Sequence, residues 1–437
     1  MDIALEIRHH AQDLLDFIDA SPSPWHAVES MERRLQARGF VRLDEGEPWK
    51  LQAQGRYYTI RGGSSLIAFR LGDRPEEAGF RIVGAHTDSP GLRLKPHAPH
   101  AAETLLRLGV EIYGAPILAT FADRDLSLAG RVCVRGATSV EARLIRFEQP
   151  LVRLPNLAIH MNRAVNEEGL KFNKQTELPL LLCASEASQE PGDRFLKLLA
   201  QRLEVSDTAI LSFELGVYDT QPGAFWGPDG EFLADGQLDN LSSCHAALSA
   251  LLAVEGGAPT AVGAFFDHEE IGSESHRGAA GSFLADVLER IAAGSDLPGD
   301  DYKRALARSF LISADTAHAH HPNFPNAYEP LHALKVNGGP AIKSNVNQRY
   351  ATDGLSEARF MRLCEQAGVP FQRYAHRSDL ACGSTIGPLV SARLGVAAVD
   401  CGCPLWAMHS LRESAGTLDQ AWLAAVLTAF FREPALP

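Results

Sequence analysis

The stretch Thr260-Ala-Val-Gly-Ala-Phe-Phe-Asp-His-Glu-Glu-Ile-Gly272 decides how this chain is read. Its apolar run from Ala261 to Phe266 reads as a buried strand, and Asp267, His268, Glu269 and Glu270 follow directly before Gly272 turns the chain. In open α/β sheets the ligand crevice lies outside the carboxyl ends of the strands, which is where catalytic carboxylates belong. Two adjacent carboxylates repel and cost desolvation unless a cation compensates them, or unless one serves as a base and the other as a ligand. The stretch therefore reads as a metal site on an α/β sheet. Taken alone, Glu269-Glu270 would sooner be a solvated loop, since charged residues are mostly exposed. The rest of the chain decides against that.

Upstream, Ser23 and Pro24 signal a helix start and Gly39 a helix stop. Strands are expected at 57–61, 65–71 and 80–85, the last ending in His86-Thr-Asp88-Ser-Pro90, again polar groups at the end of an apolar run. From about 95 to 235 the texture changes. Alternating runs such as Leu106-Arg-Leu-Gly-Val-Glu-Ile-Tyr113 and Leu211-Ser-Phe-Glu-Leu-Gly-Val217 predict half-exposed antiparallel strands, and one helix near 193–203 presents Phe195, Leu198, Leu199 and Leu203 on one face. Downstream the α/β alternation returns: a helix from Asp239-Asn240, the acidic strand, a helix over 278–293, strands at 310–313 and 394–399, and a final helix over 418–431. This order predicts an α/β domain of residues 1–94 and 236–437, its sheet covered by helices, interrupted by a β-rich insertion of 95–235.

A chain of 437 residues is long for one domain and comfortable for two. Its net charge of −13, from 54 acidic and 41 basic side chains, argues against nucleic acid or an anionic membrane as a partner, so an anionic substrate needs a local basic pocket. The seven cysteines are odd in number and scattered without a C-x-x-C pair, which predicts reduced thiols rather than a disulfide framework. Cys401-Gly-Cys403 reads as a soft metal site or, more ordinarily, as core. The first fifteen residues carry Asp2, Glu6, Arg8 and Asp13 where a signal core would be apolar, and no apolar run reaches the roughly 18 residues of a membrane helix. The expectation is a soluble, cytoplasmic protein.

Five segments at expected element ends present metal ligands: His86-Thr-Asp88, Leu238-Asp239-Asn240, Glu269-Glu270, Ser313-Ala-Asp315 and Met408-His409-Ser410. Imidazole and carboxylate together suit a pair of divalent ions such as zinc, cobalt or manganese. Singly, His86 would be a hydrogen-bonded core histidine and Asp239 or Asp315 a helix cap or turn residue. Competing motifs are absent: no H-E-x-x-H, no G-x-S-x-G elbow, and no Gly-Lys dipeptide for a phosphate-binding loop.

The motifs His-Thr-Asp-Ser-Pro at 86–90, Leu-Asp-Asn at 238–240, Asp-His-Glu-Glu-Ile-Gly-Ser at 267–273, Ser-Ala-Asp-Thr-Ala-His at 313–318, Asn-Gln-Arg-Tyr at 347–350 and Met-His-Ser-Leu-Arg-Glu at 408–413 resemble those of the aspartyl aminopeptidases, in the same order and over nearly the whole chain. That family consists of co-catalytic metallopeptidases. The resemblance implies an α/β peptidase domain with a mixed central sheet, an inserted dimerisation domain, and a homo-oligomer built from dimers into a dodecamer. It implies two divalent ions per subunit, zinc first. Asp239 would bridge them, with His86 and Asp315 on one ion and Glu270 and His409 on the other. Glu269 would be the general base, and Asp88 would orient the His86 imidazole. Lys343 would receive the acidic side chain of the substrate's N-terminal residue, with His318 and Tyr350 lining that pocket or steadying the tetrahedral intermediate. His160 would reach in from a neighbouring subunit, its other readings being a metal ligand or a structural histidine. Ser344 and Val346 stand in the Lys343 segment where other small or polar residues are expected, which bears on the shape of the pocket.

The expected activity is removal of N-terminal Asp or Glu from peptides. Two alternatives stand beside it: a broad or neutral-residue metallo-aminopeptidase with the same centre, for which Lys343 is the discriminating residue, and a catalytically silent oligomeric scaffold, which loss of Glu269 or a ligand would mark.

Overall fold

The computed structural model describes residues 3–185, 190–295, 297 and 299–433; the ends of the expected α/β domain at 1–2 and 434–437, and 186–189 of the expected insertion, lie outside the described residues. The chain forms two compact units. The first comprises Met1–Asp88, Gly223–Met408 and Glu413–Pro437, and the second Ser89–Pro222 with His409–Arg412. These limits differ from 94/95 and 235/236 for a reason visible in the pairing. Gly91–Ala102 pairs within the sheet of the second unit, while Ala224–Trp226 and Phe232–Asp235 join Glu413–Gly416 in the first.

The first unit is built on a nine-stranded mixed sheet in the order Val41–Arg42, Arg56–Arg61, Ser65–Arg70, Thr260–Phe266, Phe80–His86, Phe310–Ala314, Ala397–Gly402, Ala341–Ser344, Gln372–Ala375. Four central strands, from Thr260–Phe266 to Ala397–Gly402, run parallel, so their carboxyl ends emerge together. The residues that make these strands are apolar on both faces because both faces are covered. Val83, Ala85, Phe265, Ile312 and Val399 enter one core, against the helices Leu5–Asp19, Leu238–Leu252 and Thr417–Arg432. Their neighbours Ile82, Val262, Ala264, Leu311 and Ala398 enter the other, against Phe283–Gly294 and Ile386–Leu394. Alternation of side chains along each strand divides a continuous apolar run between two cores.

Two expected boundaries move. Leu394 ends a helix rather than starting a strand: Gly395 takes a left-handed φ of 68° and stops it, and the strand begins at Ala397. Helix 278–293 begins only at Phe283, because residues 278–282 follow a tight turn instead. The Pro24–Ala37 helix starts as its sequence predicts, with Ser23 as N-cap accepting from His26 N–H.

The Leu5–Asp19 helix docks through charge as well as apolar contact. Asp13 pairs with Arg34 at 2.7 Å and accepts from the buried His245 at 2.8 Å, while the His10 and His245 rings lie 4.9 Å apart. Burial, then His245, hold His10 down at about 4 against an ordinary 6.5, with Asp13 opposing. Between about pH 6.5 and 4 the unfolded chain therefore binds a proton that the folded chain refuses, so this contribution is intact above pH 6.5 and lost as pH falls towards 4. A shift of that size corresponds to at most about 3 kcal/mol. Thermal melting of the protein from pH 7 to 4.5 should show falling stability, and His10→Gln should flatten the dependence; an unchanged slope would remove His10 as a source.

The second unit is a six-stranded antiparallel sheet, ordered Val140–Arg146, Leu126–Arg135, Ile210–Asp219, Gly91–Ala102, Leu105–Tyr113, Leu180–Ala184, with the Pro191–Leu203 helix packing Phe195 and Leu199 into its core. Leu106, Leu108 and Val110 face inward and Arg107 and Glu111 outward, the alternation expected of a sheet with one wet face. Among the described residues no helix is long and apolar enough to cross a membrane.

Candidate metal centre

The parallel pairing Phe266↔His86 puts the ends of two central strands side by side, and everything chemical follows from that register. His86 is the last residue of its strand and 2% exposed. Its Nδ1 lies 3.0 Å from Asp88 O and 3.4 Å from Asp88 Oδ1, which leaves Nε2 facing 3.6 Å to Asp239 Oδ1, 3.6 Å to Asp315 Oδ1 and 3.9 Å to Glu269 Oε2. One donor atom each of His86, Asp239 and Glu270 falls within 4.8 Å of the others.

Asp88 does more than face the His86 ring. Its fully buried carboxylate accepts the Glu269 N–H on one oxygen and the Glu270 N–H on the other, both at 3.1 Å. The turn between is shaped by His268 at φ 67° and Gly272 at φ 98°. Arg277 braces it from behind, donating to Ser64 Oγ and approaching His268 Nε2 at 3.1 Å, while Ser64 Oγ donates to Asp267. Asp315 is held by its own N–H to Cys401 O at 2.8 Å, and a Cβ on Gly402 would meet Asp315 O at 1.7 Å. Only glycine permits that approach.

The electrostatics ask for a cation. Burial pushes the His86 imidazole down, but hydrogen bonds to Asp239, Asp315 and Asp88 outweigh it and hold the ring well above its ordinary value. Burial pushes Glu269 well above the usual carboxylate range; His86 opposes, and the Asp315, Glu270 and Asp88 charges add to the rise. Several carboxylates around one imidazole leave surplus negative charge in a dry place, and a divalent cation inverts that balance. The spacing agrees: ligands at about 2.1 Å from a tetrahedral zinc stand about 3.4 Å apart, against 3.6 Å from His86 Nε2 to either aspartate. The residues present fit zinc.

Lys343, 2% exposed, donates to Thr316 O at 3.0 Å and stands 3.5 Å from Asp315 Oδ2, with Tyr350 below at 5.1 Å. Asp400 sits opposite on the neighbouring strand. His318 packs near Tyr374 and His376, ring centroids 6.0 and 6.2 Å away; burial, then Lys343 and His376, lower it to about 4. Tyr374, hydrogen-bonded to His376 Nδ1 at 2.6 Å, and His376 were not anticipated; they arrive through the register Lys343↔Tyr374 of a four-residue strand too short to show a pattern. Ser344 and Val346, the departures noted above, line a cavity of about 820 Å³ together with Arg349, His376 and Arg377. His409 and His160 belong to the second unit. There His409 Nδ1 lies 3.1 Å from Ala115 O, and His160 is exposed in a turn.

A donor set of this kind at the carboxyl ends of parallel strands, with a carboxylate beside a candidate ligand, fits the chemistry of metal-dependent hydrolysis. The comparisons with known proteins agree. Residues 17–431 match the family model described as aminopeptidase I zinc metalloprotease (M18), and the chain belongs to that family. It is 50% identical over 432 residues to a probable M18 family aminopeptidase 2 of Azotobacter vinelandii, covering 98% of this chain and 99% of that one. Among solved structures it resembles a cryo-EM structure of the Ape4 and Nbr1 complex, with TM-score 0.94 and 36% identity over 99% of this chain and 88% of that one. It also resembles the S. cerevisiae mApe1 dodecamer, with TM-score 0.85 and 26% identity over 98% of this chain and 97% of that one. By this membership the protein is a zinc metallo-aminopeptidase with the family's α/β fold.

Proposed function

We propose that this aminopeptidase removes N-terminal Asp and Glu from peptides at a centre of two divalent ions, with Glu269 as general base. The observation that carries the base assignment is the Asp88 fork, which fixes two consecutive main-chain N–H groups and so turns neighbouring carboxylates towards one imidazole. His86, Asp239, Glu270 and Asp315 would hold the ions. The roles of His409 and His160 in this reading rest on the family motifs alone. When bound, the ions lower the pKa of a water towards neutrality and stabilise developing oxyanion charge. Glu269 takes the water's proton as oxygen adds to the scissile carbonyl, and returns it to the amine nitrogen as the C–N bond breaks. His86 stays oriented through its Nδ1 contact to Asp88.

The acidic preference rests on Lys343, a buried cation beside His318 and Tyr350 in a chain of strongly negative net charge. The 3.5 Å approach of Lys343 to Asp315 favours a second reading, in which the lysine balances the centre and specificity is broad. Self-association into a dodecamer extends to this chain what is named for mApe1, and a dimerisation role for the second unit rests on the family resemblance alone. A cytoplasmic location accords with seven free cysteines.

The test is a set of initial rates on peptides with N-terminal Asp, Glu, Leu, Ala or Lys, before chelation, after it, and with single ions restored. Cleavage confined to Asp and Glu, lost with the chelator and recovered with zinc, is expected. Metal-dependent cleavage led by Leu or Ala would sink the acidic preference, and no cleavage with any ion would leave the silent scaffold.

A further inference from the structure

The motif Met408-His-Ser-Leu-Arg-Glu413 has supplied one candidate ligand, and its last residue has no part in the reading above. Glu413 opens the strand Glu413–Gly416, opposite Asp235 in the five-stranded sheet of the first unit. It is 2% exposed, a placement carboxylates avoid unless their oxygens are engaged. One engagement is with the main chain of the candidate bridging ligand: Asp239 N–H donates to Glu413 Oε2 at 2.9 Å.

That bond falls where helical bonding cannot act. At the start of Leu238–Leu252 the backbone is non-helical at Asp239 (φ −82°, ψ 105°) and Asn240 (φ −124°, ψ 26°), and Gln237 before them is left-handed. First-turn N–H groups have no acceptor within their own helix, so an outside group must hold this segment. Asn240 Nδ2 donates to Ala314 O at 2.9 Å, tying the segment to the strand end that leads into Asp315. Glu413 holds it from the other sheet.

We propose that Glu413 is a positioning residue of the metal centre. By accepting the Asp239 N–H, its carboxylate sets the main chain so that the Asp239 side chain meets His86 and Glu270 at ligand distance. The proposal rests on the reading of Asp239 as a ligand. Removing a group that orients a metal ligand commonly weakens metal binding about 10- to 100-fold.

Zinc dissociation constants of the full chain, measured by competition with a chromophoric chelator, test it on Glu413→Ala, Glu413→Gln and Asp239→Ala. Melting curves of the chelator-treated proteins accompany them. Glu413→Ala is expected to bind zinc at least about 10-fold more weakly, and Glu413→Gln, whose amide oxygen can accept the same N–H, to stay within about threefold of the unchanged protein. Zinc affinity retained in Glu413→Ala, or lost equally in Glu413→Gln, would overturn the proposal. So would a Glu413→Ala chain that is unfolded at room temperature after chelation while the unchanged protein stays folded, which would make Glu413 part of the scaffold only. Asp239→Ala separates the two layers: if it holds zinc normally, the ligand reading itself has failed.

Discussion

Glu269→Gln is expected to keep zinc content near normal while kcat falls at least about 10²-fold, the loss typical of an absent general base. The substitution keeps the side chain's shape and leaves the Asp88 fork untouched, since Asp88 accepts from main-chain N–H groups that glutamine also has. What changes is the ability to take a proton. Because Glu269 Oε2 stands 3.9 Å from His86 Nε2 and Glu270 falls within the ligand group, the two neighbours can be told apart by zinc content. Zinc lost along with activity would make Glu269 a ligand and reverse their roles.

Lys343→Met should separate the two readings of specificity. If the lysine receives the substrate's carboxylate, kcat/KM for N-terminal Asp and Glu falls roughly 10²-fold or more, the scale of a severed buried charge pair, with Leu and Ala substrates little changed. Its 3.0 Å bond to Thr316 O and 3.5 Å approach to Asp315 supply the opposing case. Were the lysine there to balance Asp315 and Asp400, every substrate would suffer alike and zinc would bind less tightly. That pattern would end the acidic-pocket assignment.

Much of the α/β unit could be read from residue patterns because its strands announce themselves. Thr260–Phe266 is buried at every position, so its run from Ala261 carries no polar side chain, and the polar groups after it stand out. Leu394 misled for the same physical reason in reverse: an apolar residue at a helix end continues smoothly into an apolar strand, and only the left-handed Gly395 separates them. Tyr374 and His376 could not be found, since their place beside His318 comes from strand register, which no local pattern encodes. The Asp88 fork was half legible. Proximity to His86 follows from two-residue spacing, whereas its hold on residues 269 and 270 depends on parallel pairing across the sheet.

The candidate donors His86, Asp239, Glu270 and Asp315 come from four separate segments, and the pairing of Phe80 with Thr260 spans Ser89–Pro222, the longer part of the second unit, in sequence. Loops that long close slowly, and parallel pairing must precede any reward. Among these four residues an ion meeting the unfolded chain therefore finds no His and carboxylate one helical turn apart on which to seed structure. Zinc held by these residues would act instead as a latch on a completed fold, deepening its stability by mass action once the strand ends stand together.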